Sequence, residues 1–328
     1  MLHSPITTLL VAVASDTASV SLRGHLLNKV LWSSVELPSK VDAACEVHQI
    51  NNAWLLYFNE AEMRMTNLDD IDKKFENWFG VKPSDVVFLS RHTAASALPA
   101  LCVHPIGVAA DAEASHGGRS GVMVPPSSYI APLYRELRKR AKILSLQCDA
   151  TGSAFQTCLE ATHHGPVLST PSCFVEIGSS DLQYDQNQPA YLWAEILNDL
   201  IINPQDKKFS SHWTHFAQDV QQDKTIIVVL GGGHYMPKIG DLCAADDSVF
   251  LGHMLASYNF KNIESTSADN YEPPAWHQTI RAAIDATRQS YPGVDVVIRL
   301  EKKAFRSAAR TEIFNFVSQN LGLEPIFF

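Results

Sequence analysis

Short, nearly uninterrupted apolar runs, each separated from the next by a stretch of helical periodicity, set the narrowest limit on how this chain can fold. The runs predict strands at Thr8–Val13, Trp54–Phe58, Asp85–Leu89, Leu101–His104, Phe155–Thr162, Phe174–Ile177, Thr225–Leu230 and Val294–Leu300. Helical patterns lie near Thr17–Val30, Leu68–Phe79, Ser128–Leu144, Ala190–Ile202, His212–Gln221, Ser248–Ser257, Ala275–Gln289 and Ala304–Asn320. Strands without polar alternation must be covered on both faces. Strands that alternate with helices therefore predict an α/β fold, a three-layer sandwich around a mixed, largely parallel sheet. The stretch from His104 to Pro126 shows no clear period, and a loop of that length is usually a working one.

No polar or Pro-rich tract is long enough to be a linker, so a single domain spanning residues 1–328 is expected. The 26 Lys and Arg against 35 Asp and Glu give a net charge of -9, which excludes a generally basic nucleic-acid binder but not a local basic patch. The six cysteines show no Cys-x-x-Cys spacing and sit mostly within apolar runs, which predicts buried, reduced thiols in the cytoplasm. Leu9 to Ala14 has no preceding Lys or Arg and reads as the first strand rather than a leader. No apolar stretch approaches the roughly 20 residues that cross a bilayer, so no membrane association is expected.

The chemistry gathers at Glu160-Ala161-Thr162-His163-His164-Gly165-Pro166, where an apolar strand ends in a carboxylate and two imidazoles. Strand alternation would put Glu160, Thr162 and His164 on one side and His163 on the other. Imidazole and carboxylate are usual zinc ligands and also usual general acids and bases. Arg91-His92 and His104-Pro105 follow other strands, and Gly231-Gly232-Gly233-His234-Tyr235 follows a third, so a shared rim at strand ends is expected. The triple glycine lets backbone approach a ligand closely, but it is neither a dinucleotide fingerprint nor a Walker loop. Glu176, in an otherwise apolar strand, needs a histidine, an arginine or a metal as partner. Two basic stretches could meet phosphates: Arg135, Arg138, Lys139 and Lys142, and Lys302, Lys303, Arg306 and Arg310; in a helix Lys302, Arg306 and Arg310 would share a face. No Gly-x-Ser-x-Gly elbow and no Cys–His pair offers a nucleophile, which leaves water.

Ser90-Arg91-His92, Pro99-Ala100-Leu101, His104-Pro105-Ile106-Gly107, Glu160 to Pro166, Pro171-Ser172, Glu176-Ile177-Gly178-Ser179-Ser180 and Gly231 to Tyr235, in this order, resemble the archaeal- and plant-type D-aminoacyl-tRNA deacylases. The resemblance implies hydrolysis of the ester between a D-amino acid, including an aldehyde-modified one, and tRNA. It also implies a fold similar to the phosphorylases and peptidyl-tRNA hydrolase, and zinc, up to two ions per subunit. Carried onto this chain, it points to His163, His164, Glu160 and Glu176 as catalytic, and to His92, His164 and His234 as metal ligands. Arg91, His104, Gly231, Gly232, Gly233, Tyr235, Arg306 and Arg310 would bind a D-aminoacyl-tRNA substrate, with the enzyme a cytoplasmic monomer. Val108 and Met236 depart from the family pattern and would line the pocket differently. A nucleoside phosphorylase, another small-molecule hydrolase, or a non-enzymatic zinc or RNA binder are the alternatives that this architecture could also serve.

Overall fold

In the computed structural model, residues 6–41, 43–204, 212–215, 218–261, 263 and 273–328 are described. The strands are β1 (Thr8–Val13), β2 (Ser33–Ser34), β3 (Cys45–Ile50), β4 (Ala53–Phe58), β5 (Asp85–Thr93), β6 (Ala100–His104), β7 (Gln156–Leu159), β8 (Ser172–Ser179), β9 (Thr225–Leu230), β10 (Val249–Leu255), β11 (Val296–Leu300) and β12 (Ile326–Phe327). The helices are α1 (Thr17–Lys29), α2 (Ile71–Phe79), α3 (Ile130–Leu144), α4 (Asn187–Leu197), α5 (Gln218–Gln222), α6 (Pro237–Ala245), α7 (Ala275–Ser290) and α8 (Ser307–Asn315).

Two sheets form. The larger has the order β2-β3-β4-β1-β5-β8-β6-β7, and the smaller, all parallel, the order β10-β9-β11-β12. In the larger sheet β4, β1, β5 and β8 run parallel, β3 returns antiparallel at one edge, and β6 runs antiparallel to β8.

Each central strand buries both faces, and its residues divide by parity, as a period of two requires. In β1, Leu10 and Ala12 join the core under α1, α3 and α4, whereas Leu9, Val11 and Val13 join the one under α2. In β9, Ile227 and Val229 face that first core, while Ile226, Val228 and Leu230 face α7 and α8. Helix α3 packs on β6 and β7 of one sheet and on β10 of the other, so one apolar core runs between the sheets. This is the expected helix–sheet–helix layering, repeated over two sheets.

Three element readings change. Ser248–Ser257 is not a helix: Val249–Leu255 is a fully buried strand beside β9, because its apolar residues are flanked by core on both sides. The hairpin partner β3 and the helix α6 went unread in the sequence. Lys302, Arg306 and Arg310 do not share one helix face, because residues Lys302–Ala304 form a single 3-10 turn, Arg306 is extended, and α8 starts only at Ser307. Of the pattern at His212–Gln221, residues 216 and 217 lie outside the described residues, and the rest is a 3-10 turn at Trp213–His215 and the start of α5.

Candidate active site

On the α2 side of the large sheet, the inward positions change character along each strand. Strand β5 presents Val86 and Phe88, then Ser90 and His92; β8 presents Phe174, then Glu176. The register sets Glu176 opposite both Ser90 and Cys102, and His104 opposite Phe174. An aromatic floor supports the polar residues: Phe174 stacks on Phe88 at 4.8 Å and on the His104 ring at 5.0 Å between centroids. Strand β7 lies parallel to β6, so Glu160, the residue after it, arrives beside His104.

Here five histidines and two carboxylates meet. Glu176 Oε1 lies 3.5 Å from His104 Nε2, and its Oε2 lies 3.4 Å from His92 Nδ1. Glu160, fully buried, is 3.1 Å from His92 Nδ1, 3.5 Å from His234 Nε2 and 3.8 Å from His163 Nε2. The His163 and His164 rings are 4.3 Å apart and both face His104. His163 is therefore not on the opposite side from His164. Strand β7 stops at Leu159, and His164 takes a left-handed φ of 43°, so alternation no longer applies. Close above, the Gly117-Gly118 turn touches Gly165, where a Cβ would lie 2.1 Å from the Gly118 nitrogen.

Protonation follows the surroundings. Burial, which would raise the Glu176 carboxyl, is outweighed by the facing imidazoles of His104 and His92, which hold it well below the usual range. Burial pulls on His92 as well, but the Glu176 hydrogen bond and the charges of Glu160 and Glu176 raise it to about 9. Burial, then the charge of His104, lowers His164 to about 4; burial and the neighbouring histidines also hold His163 well below its usual range.

The tautomers are fixed by the backbone. His104 Nδ1 bonds to the Pro105 carbonyl at 3.1 Å, His163 Nδ1 to the Ala161 carbonyl at 2.8 Å, and His164 Nδ1 to the Gly165 carbonyl at 2.7 Å. A carbonyl only accepts, so each Nδ1 carries a proton; His163 and His164, both lowered, keep their Nε2 lone pairs, whereas His104 Nε2 faces Glu176 Oε1 at 3.5 Å, and that carboxylate raises it against its burial. Donor atoms of these three residues lie within 4.8 Å of one another, and His104 Nε2 is buried without a hydrogen-bond partner. Nδ1–H pinned to backbone with Nε2 turned inward is how proteins orient zinc-binding histidines. Glu160, whose oxygens are also buried without hydrogen bonds, forms three further groups, with His163 and His234, with His92 and Cys102, and with His104 and Glu176. These nitrogen, sulfur and carboxylate donors fit zinc.

The expected ligands His92, His164 and His234 thus belong to three different groups. His104, expected to touch substrate, sits at the centre of one, and Cys102 was not foreseen. Tyr235 reaches inward, its hydroxyl 2.9 Å from His92 Nε2. Burial is the main reason its phenol stays protonated far above neutrality.

A cleft of about 400 Å³ opens onto the cluster, lined by His92, His163, His164, Glu176 and His234, with Arg64, Arg91 and His116 at its walls. The Arg91 side chain is exposed there, over the Tyr184 ring at 5.9 Å. Asp16, unread in the sequence as a site residue although Asp16-Thr17 is a helix-start signal, braces this wall. Its Oδ1 accepts from Ser19 N at the start of α1, and its Oδ2 accepts from the Ser90 hydroxyl and the Arg91 amide.

The glycine turn divides its work. Gly231 (φ 111°) donates its amide to Leu255, and a Cβ there would meet Ala304, Glu301 and Phe305 within 3.0 Å. It is a packing glycine, whereas Gly233 faces open space and Gly232 lies against Glu301 and Met236. The same packing brings the segment before α8 alongside the turn that carries His234. Arg306 and Arg310 follow that segment and do not line the cleft; Arg310 Nη1 caps the Lys302 carbonyl at 3.1 Å.

The sequence model of the D-aminoacyl-tRNA deacylase family matches residues 79–325. A D-aminoacyl-tRNA deacylase of Arabidopsis thaliana is 31% identical over 322 residues, covering 96% of either chain. One from Thermococcus kodakarensis is 28% identical over 312 residues, covering 95% of this chain and 96% of its own. In structure, a conserved protein of unknown function, AF0625, superposes with a TM-score of 0.74 at 21% identity, covering 99% of this chain and 96% of its own, and shares the fold.

Proposed function

With the chain a member of the D-aminoacyl-tRNA deacylase family, we propose that the histidine–carboxylate cluster is where it hydrolyses the ester between a D-amino acid and tRNA. The observation that carries this siting is the set of three imidazoles, His104, His163 and His164, whose Nδ1 atoms are tied to backbone carbonyls and whose donor atoms gather within 4.8 Å, with His163 and His164 lining a solvent-reaching cleft.

Those three residues would hold zinc, with Glu160 as the neighbouring carboxylate. A bound zinc supplies Lewis acidity toward an ester carbonyl oxygen. The chain's own groups do the rest. His234, partly exposed in the cleft and 3.5 Å from Glu160, takes a proton from the attacking water. Water oxygen bonds to the carbonyl carbon, the bond to the ribose oxygen breaks, and the His234 proton passes to that oxygen. Free amino acid and tRNA result. Cationic His92, between Glu160 and Glu176, helps keep Glu176 ionised and holds the Tyr235 hydroxyl in place. Arg91 and Arg64 at the cleft wall would meet the phosphates of the tRNA 3′ end, and Arg306 and Arg310 those farther along.

A single catalytic domain acting as a monomer is part of the same reading. Among the described residues no helix is long and apolar enough to cross a membrane, and a tRNA substrate suits the cytoplasm.

The test is deacylation of matched D- and L-tyrosyl-tRNA by wild type, His104→Ala, His163→Ala and His164→Ala, with zinc measured after exhaustive dialysis. D-selective release by wild type, lost together with zinc in all three variants, is the expected result. Full activity in metal-free wild type would remove zinc from the mechanism. Phosphate-dependent cleavage of free nucleosides, with no release from tRNA, would replace the reading by a phosphorylase.

A further inference from the structure

A second, smaller cavity of about 170 Å³ lies against the histidines from the other side. It shares His116, His163 and His164 with the cleft, and the rest of its wall includes the aperiodic loop after β6 (Gly107, Val108, Ala109, Ala112, and the exposed Glu113 and Ser115), Thr162, and Tyr258 and Asn259 beyond β10. Its walls are built rather than incidental. Val108 is 5% exposed and Ala109 3%, although both belong to a loop. Gly107 is held so close that a Cβ would come within 2.5 Å of Met123 Sδ and 3.1 Å of Thr162 Cγ2. The Thr162 hydroxyl is engaged by Met254 N and His253 Nδ1, both at 3.0 Å, so its polar atom is committed elsewhere. Tyr258, half exposed, stands at this cavity with its phenol raised by burial and by the charge of Glu160.

We propose that this cavity receives the side chain of the D-aminoacyl group, and that it is shaped for an apolar or aromatic one. The inference rests on the deacylase reading above. An ester carbonyl at the shared histidines has the ribose on one side and the amino acid Cα on the other. The larger cleft, with its arginines, suits the nucleotide, which leaves the smaller, mainly apolar cavity for the side chain. A cavity of about 150 Å³ is enough to bind a benzene ring, so this one admits the ring of phenylalanine or tyrosine. Val108 is one of its walls, and this chain's preference among side chains is set here.

The experiment compares kcat/KM for D-tyrosyl- and D-alanyl-tRNA in wild type, Ala112→Phe, which fills the cavity from a half-buried position, and Tyr258→Ala, which opens its wall. The ratio of D-tyrosyl to D-alanyl efficiency should fall about 10-fold or more in Ala112→Phe and move in the same direction in Tyr258→Ala, because misfit in an apolar pocket costs that order of selectivity. D-alanyl-tRNA serves as the internal control for folding. Equal loss on both substrates, or no change in either variant, overturns the side-chain pocket and leaves the deacylase standing. A wild type that releases neither D-amino acid overturns both.

Discussion

His253 and His92 carry opposite signatures in the dependence of stability on pH. His253 is fully buried, its Nδ1 on Thr162, and burial lowers it from 6.5 to about 3. Between those values the unfolded chain binds a proton that the folded chain refuses, so stability is lost as pH falls below 6.5. The loss between pH 6.5 and 4 is about 3 kcal/mol. For His92, raised to about 9, the folded chain holds the extra proton: its contribution is complete below 6.5 and disappears as pH rises through 9. Urea titrations of metal-free protein should therefore find greatest stability near pH 6.5, with a flattened acid limb in His253→Gln and a flattened alkaline limb in His92→Gln. An alkaline limb unchanged in His92→Gln would disprove the ion-pair assignment. Residue types alone foretold that these histidines gather. They did not foretell the partition, because whether an imidazole faces a carboxylate or an apolar wall depends on strand register, as at Glu176 opposite Ser90 and Cys102.

At the scale of elements, the cleft wall depends on the junction of β1 and α1, through Asp16. Buried carboxylates are costly unless fully bonded, and Asp16 is bonded on both oxygens, to α1 and to the end of β5. Asp16→Ala removes a helix cap and two bonds to a charged acceptor, and should lower stability by roughly 2–4 kcal/mol. Because the freed Arg91 backbone no longer fixes its guanidinium at the cleft, KM for aminoacyl-tRNA should rise more than kcat falls. Asp16→Asn, which keeps the cap, should restore most of the stability; a kcat loss with unchanged KM would mean that the brace does not act through Arg91. The continuous runs of β1 and β9 were legible to the residue, because every position after the opening threonine is apolar and buried. Strand β10 was not, since Val249, Phe250, Leu251, Met254 and Leu255 also fit a helical stripe, and only its place beside β9 decides. Strand β3 alternates weakly (Cys45, Val47 buried; Glu46 exposed) and is recognised through its pairing with β4.

For the whole molecule, a net charge of -9 opposes approach of a polyanion, so tRNA must be drawn to a local patch. The two basic stretches, alike in sequence, differ in their surroundings. On α3, Arg135 meets Asp247, Arg138 meets Asp241, Lys139 meets Glu136, and Arg140 meets Glu136 and Asp199. Asp241 lies in α6, Asp247 just beyond it and Asp199 just after α4, all invisible to a local reading, while Glu136 is on α3 itself; together they pair with most of the helix's cations. Lys302, Lys303, Arg306 and Arg310 have no ion pair with an acid among the described residues, and their segment packs against the Gly231 turn that leads to His234. Free cations near the reacting centre are the ones that release counterions when phosphate arrives. Removing two of them in Arg306→Ala/Arg310→Ala should lessen the slope of log affinity against log salt by about 2. Arg138→Ala/Lys139→Ala should alter it by less than about 0.5, since those charges already face carboxylates. If filter binding with uncharged tRNA shows the larger change in the α3 variant, the tRNA body crosses the opposite surface, and the route from acceptor stem to cleft has to be drawn over α3 instead.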